Sequence, residues 1–123
     1  MSDETEITWL KDPEEKDYPA AASYLALIYE DKDVENLVNG LRKAAPSQFK
    51  AKDIFRASSL PLLGISNIHL ESDRKKIKDG KGLSPILLVR DPKRGKVVIA
   101  DGYHRLCAVY SFQEDAWIPC RIV

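Results

Sequence analysis

Apolar and polar residues alternate along the chain in segments with distinct periods. Between residues 19 and 30, Ala21, Tyr24, Leu25 and Ile28 fall at the i, i+3, i+4, i+7 spacing of one helical face, with Pro19 suited to the first turn. Asp31 is expected to cap a second helix on which Val34, Leu37, Val38 and Leu41 repeat that spacing before Pro46 stops it. Residues 19–47 are therefore expected as a helical hairpin with apolar stripes that need a partner surface. Residues 48–54 alternate in part, as a half-buried strand would, and lead into an expected short helix near 55–60. A mostly polar helix is expected from about residue 70 to Lys78, ending at Gly80. Residues 85–90 and 96–100 read as two buried strands joined by a turn through Pro92 and Gly95. Next comes a helix with Leu106, Val109 and Tyr110 on one face, and a closing strand over 116–123.

The chain's 123 residues suit one compact domain, and its apolar share of 44% is enough to bury a core. The formal net charge is zero but unevenly spread. Residues 1–18 hold seven acids against two lysines and read, with the break at Asp12 and Pro13, as an acidic, loosely attached leader. The remaining body is mildly basic, which suits a phosphorylated small ligand better than duplex DNA. No run reaches the roughly 20 apolar residues of a membrane span, and the acidic start lacks the features of a signal peptide. A cytoplasmic protein with no membrane partner is expected. Cys107 and Cys120 lack the spacing of a zinc site or redox pair and are expected as free thiols. His69 and His104 stand too far apart in sequence to suggest a histidine-rich metal site, and His69 is assigned no role.

The most informative segment is residues 101–105, DGYHR. A strand that passes through a glycine directly into a helix presents unpaired backbone N–H groups to an anion, and glycine allows close approach. His104 and Arg105 add side-chain donors, the arginine as a planar fork matched to phosphate oxygens. Two readings of Asp101 are open: a helix N-cap, or a carboxylate that holds magnesium or acts as a base. Arg105 has a structural alternative in pairing with Asp101 or Glu71, and His104 in binding a backbone carbonyl.

Three stretches, LSPILLV at 83–89, VVIADGYHRLCA at 97–108 and WIPCRI at 117–122, give the chain its likeness to a known family. In order and spacing they resemble the proline-led strand, the phosphate-gripping helix start and the closing strand of the ParB/sulfiredoxin-like superfamily, which includes the ParB-like nuclease domain. The resemblance covers about residues 48–123 and implies an α+β fold: a small mixed β-sheet of ParB/sulfiredoxin type with packed helices, to which the N-terminal helical hairpin is added. It implies a nucleotide, such as ATP, ADP or CTP, held by its phosphates at Gly102, Tyr103, His104 and Arg105, with Mg2+ as an accompanying ion. Lys52 and Arg56 are further ligand candidates, because the strand matching residues 48–54 borders the pocket in relatives, and Ser84, just before the buried strand, either donates to a nucleotide or merely ends a loop. For Lys52 and Arg56 a solvated, lysine-protected edge is an equal alternative. Asp101 and His104 are the candidates for catalysis.

Known relatives include a nucleotide-gated DNA clamp, an ATP-using sulfinic-acid reductase and free-serine kinases, so the ligand class is better defined than the reaction. Tyr103 stands where the reductase carries its reactive cysteine, so sulfinic-acid reduction is not expected. The partition proteins follow this domain with a DNA-reading helix-turn-helix, whereas this sequence stops at Val123; specific DNA binding is accordingly not expected. The functional expectation is binding of a nucleotide or other phosphorylated small molecule, with phosphoryl transfer or phosphate-ester hydrolysis as the chemistry if the protein is an enzyme. The alternatives are a non-enzymatic regulatory or interaction module and, further off, a nonspecific nuclease or DNA-binding protein. Three roles are open to the hairpin: covering a sheet face, closing the pocket, or forming a homodimer.

Overall fold

A computed structural model describes residues 6–61 and 68–123 of the chain. The elements are α1 (Asp17–Leu25), α2 (Asp31–Lys43), β1 (Ser47–Lys50), α3 (Ala51–Ser58), α4 (Ile68–Lys78), β2 (Ile86–Asp91), β3 (Lys96–Asp101), α5 (Tyr103–Phe112) and β4 (Trp117–Ile122). The four strands form one mixed sheet in the order β1-β4-β2-β3. β2 runs parallel to β4, while β1–β4 and β2–β3 are antiparallel. Among the described residues the fold is thus α+β, as the sequence predicts at this level.

Alternation along the central strands gives the sheet two apolar faces. Leu87 and Val89 of β2, with Val98 and Ala100 of β3, pack against Tyr18, Ala21 and Leu25 of α1 and Val34 and Leu41 of α2. Ile86, Leu88, Ile99, Ile118 and Cys120 point to the opposite core, shared with Ile54 and Phe55 of α3, Leu70 and Ile77 of α4, and Leu106 and Val109 of α5. Both faces are therefore covered by helices, which is why β2 reads as an unbroken apolar run instead of an alternating one. The hairpin covers one face of the sheet, the first of the three roles open to it.

Several boundaries differ from expectation: Asp31 is the first helical residue of α2 and the extended Glu30 its cap position, so the capping role expected of Asp31 is not observed. α1 ends at Leu25, and the backbone continues in tighter turns, with Leu27 N–H donating to Tyr24 O at 3.1 Å and Ile28 N–H to Leu25 O at 2.9 Å. The strand expected over 48–54 stops at Lys50. Ala51, Ile54, Phe55 and Ser58 are buried at helical spacing, so the apolar positions taken as the end of a strand are the inner face of α3. Gly80 closes α4 at φ +72°, as the sequence predicts.

The leader also departs from expectation, because residues 6–17 are pinned to the body. Trp9 forms a parallel bridge with Leu83; Leu10 N–H donates to Leu83 O and Leu83 N–H to Thr8 O, each at 2.8 Å. Arg121, only 5% exposed on β4, donates to Asp12 Oδ1 at 2.8 Å and to Lys11 O at 3.3 Å. A buried guanidinium requires acceptors, and this stretch supplies them. Among the described residues no helix is long and apolar enough to cross a membrane.

Candidate functional site

β3 ends at Asp101 and α5 begins at Tyr103, so one residue, Gly102, makes the change of direction. Gly102 sits at φ +108°, a region that side-chain-bearing residues rarely enter. A Cβ there would lie 2.4 Å from Ile86 Cδ1 and 2.9 Å from Arg105 Nη2, so packing as well as backbone conformation calls for glycine. Gly102 is also the cap residue of α5, which accordingly has no side-chain cap. The N-cap reading of Asp101 is thereby corrected.

The carboxylate of Asp101 turns to Arg105, whose Nη2 donates to its Oδ2 at 3.0 Å. The same guanidinium donates through Nε to Ser84 O at 3.0 Å and through Nη2 to Pro85 O at 3.4 Å. Arg105 therefore braces the start of α5 against the loop before β2, and its fork is engaged within the protein. Ser84, 3% exposed, donates through Oγ to Asp17 Oδ2 and accepts from Glu14 N–H at 3.1 Å. Asp17 Oδ2 also accepts from Glu14 N–H at 3.0 Å. Burial raises the pKa of Asp101 above the usual carboxylate value; Arg105 pulls it down, and the neighbouring Asp17 carboxyl pushes it up. Asp17, Ser84, Asp101 and Arg105 form a polar network beneath the DGYHR backbone.

Above that network lie two clefts that share residues 101–104. The first, of about 260 Å³, is polar and has His69, Ser72, Asp73 and Lys76 of α4 on one side and His104 and Arg105 on the other. The second, of about 410 Å³, is mostly apolar and is walled by Ala20 and Tyr24 of α1, Leu60, Ile99, Tyr103 and His104. His104 belongs to both; its ring centroid lies 4.9 Å from that of His69 and 5.7 Å from that of Tyr103. The Tyr103 hydroxyl donates to Pro61 O, and burial, then the nearby Cys107, raises its pKa.

Of the residues singled out in the sequence, Gly102, Tyr103, His104 and Arg105 are brought together at these clefts, with Asp101 beside them. Ser84 lies underneath, bonded to Asp17. Lys52 and Arg56 line neither cleft. Lys52 pairs with Asp115 at 2.6 Å, which raises the lysine pKa and lowers that of the carboxylate, and Arg56 lies 3.5 Å from Asp53. Both are exposed ion pairs on α3, so the solvated strand edge expected at these two positions is a solvated helix face instead.

Sequence reasoning missed the α4 side of the polar cleft. His69, Ser72, Asp73 and Lys76 follow the i, i+3, i+4, i+7 spacing, so a polar stripe was present in a helix whose polar positions, Lys76 included, read as a solvated face. Among the described residues no group of three or more His, Cys, Asp or Glu side chains is arranged to hold a metal. No family model matches the chain, and comparison with curated proteins and with solved structures yields no match.

Proposed function

We propose that the chain is a ParB/sulfiredoxin-like protein that binds a nucleotide or other phosphorylated small molecule, with the phosphate in the polar cleft between α4 and the start of α5. The observation that carries this reading is the convergence of Lys76, Ser72, His69 and His104 on a cleft whose floor is the Gly102 turn. A lysine offers three donors and a compact charge, histidines offer ring N–H groups, and the uncapped first turn of α5 offers backbone N–H groups with a favourable dipole. The order of strand, glycine and helix, and the mixed sheet that supports them, support the family reading.

Arg105 contributes by holding the turn in shape, since its guanidinium is committed to Asp101 and two carbonyls. Asp101 belongs to the same brace, which leaves Asp73 as the polar cleft's other carboxylate. Magnesium is held by one or two carboxylates together with substrate phosphates, and Asp73 suits that role once a ligand supplies the phosphate oxygens. The reading is one of binding. For proton transfer to a bound phosphate ester, His104 is the residue of interest, because its side chain borders both clefts.

Calorimetric titration with ATP, ADP, CTP and GTP, with and without magnesium, tests this reading. Saturable binding to the native protein, weakened at least tenfold in Lys76→Ala and in His104→Ala, is the expected result. No binding of any of the four, or binding indifferent to both substitutions, overturns it.

A further inference from the structure

The two clefts meet along residues 101–104, and their character changes at that line. On the α4 side the walls are polar and include Lys76; on the α1 side they are mostly apolar and include Ala20, Tyr24, Leu60 and Ile99. Tyr24 stays 41% exposed although it lies on the helix whose Tyr18, Ala21 and Leu25 seal the sheet. It is therefore a large aromatic surface next to an open apolar space of about 410 Å³, within the size range of small-ligand pockets. A ligand anchored by phosphate in the polar cleft has its next atoms directed along the shared segment or out to solvent. The shared route leads past His104 and Tyr103 into the apolar cleft.

We propose that the two clefts form one bipartite site whose ligand carries a flat aromatic ring linked to its phosphate, and that Tyr24 of the N-terminal hairpin receives that ring. This rests on the phosphate reading above and adds to it a ligand class and a specificity residue outside the region of family resemblance. An aromatic wall suits a planar ring because stacking rewards every π-face regardless of its hydrogen-bonding edge. Ala20, one helical turn before Tyr24 on the same face of α1, leaves room beside the phenol. The hairpin thereby does two jobs: its inner face covers the sheet, and its edge forms one wall of the site.

The test compares inorganic phosphate, ribose 5-phosphate, phenyl phosphate, AMP and CMP on the native protein and on Tyr24→Ala, Tyr24→Phe and His104→Ala, with circular dichroism checking each fold. AMP and CMP are expected to bind at least tenfold more tightly than ribose 5-phosphate. Tyr24→Ala should erase that advantage while leaving ribose 5-phosphate unchanged, Tyr24→Phe should retain it, and His104→Ala should weaken every phosphate probe. Phenyl phosphate binding as tightly as AMP would identify a simple aryl phosphate as sufficient, and weak phenyl phosphate binding would identify a nucleotide. Equal affinity for ribose 5-phosphate, AMP and CMP, or a Tyr24→Ala effect that is uniform or nil, overturns this inference and leaves the phosphate reading standing. Failure of all five probes on the native protein overturns this inference, and failure of ATP, ADP, CTP and GTP as well overturns both.

Discussion

Arg105 Nη2 lies 3.0 Å from Asp101 Oδ2, four residues earlier in the chain, and both side chains are more than four-fifths buried, at 18% and 17% exposed. The pair spans the Gly102 turn and ties α5 to the end of β3. Replacing Arg105 by Met would leave a largely buried carboxylate without its cation, and the Ser84 and Pro85 carbonyls without their donor. The expected cost is about 1–3 kcal/mol of folding stability, read from urea unfolding. A variant as stable as the native protein would contradict the bracing role.

The same pair makes a prediction about pH. Asp101 has its folded pKa raised, chiefly by burial, so its contribution to stability is fully present below its unfolded value of about 3.9 and is lost as pH rises through the folded value. Arg105 opposes that rise. Carboxyl-carbon NMR titration should therefore find Asp101 above the ordinary aspartate range in the native protein and higher still in Arg105→Met. A midpoint at or below the ordinary value in the native protein would contradict the burial argument.

Gly102→Ala combines an unfavourable φ with overlap against Ile86 and the Arg105 fork. Backbone strain and overpacking each cost about 1–3 kcal/mol. The expected variant is destabilised by that order and has weakened phosphate binding, because the floor of both clefts has moved. Unchanged denaturant stability would show that the turn relaxes freely.

Asp17 anchors the N-terminal segment to the network through Ser84 and Glu14. Asp17→Ala removes an acceptor that is 3% exposed and strands the Ser84 hydroxyl, at an expected cost of about 1–3 kcal/mol. Hydrogen exchange should quicken at Leu10 N–H and Leu83 N–H, which bridge the segment to the body. Unaltered exchange at both would detach this segment from the network.

Cys120 is fully buried, and burial pushes its thiol pKa up to about 11. At pH 8 the native thiol should resist alkylation and react only as fast as the protein opens, while urea exposes it to rapid reaction. Its contribution to stability is present below the unfolded thiol value near 8.5 and is lost as pH rises through about 11. Fast alkylation of Cys120 in the folded protein would contradict its placement.

What could be read from the sequence depended on how local the cause was. The β2–β3 hairpin and α5 follow from apolar runs and turn residues adjacent in the chain, and their expected positions agree with the structure within a residue or two. The start of α3 was obscured because Lys50, Lys52 and Asp53 interleave with apolar positions in a way that fits two periods over so short a stretch. The leader misled because its acids and proline describe a loose segment, while its partners, Leu83 and Arg121, lie more than 70 residues away in sequence. At the site, the strand, glycine and helix were legible in DGYHR. The inward turn of Arg105 depends on the Ser84 and Pro85 carbonyls, and the polar cleft depends on α4 packing beside α5; neither is local.

The most direct measurement of the central claim is a backbone and side-chain NMR titration of the native protein with nucleotide. Saturable shifts centred on the Tyr103 and His104 amides, the His69 and His104 rings and the Lys76 ammonium are the predicted result. No shift at millimolar nucleotide, or shifts centred elsewhere with these groups unmoved, would contradict a phosphate site between α4 and α5.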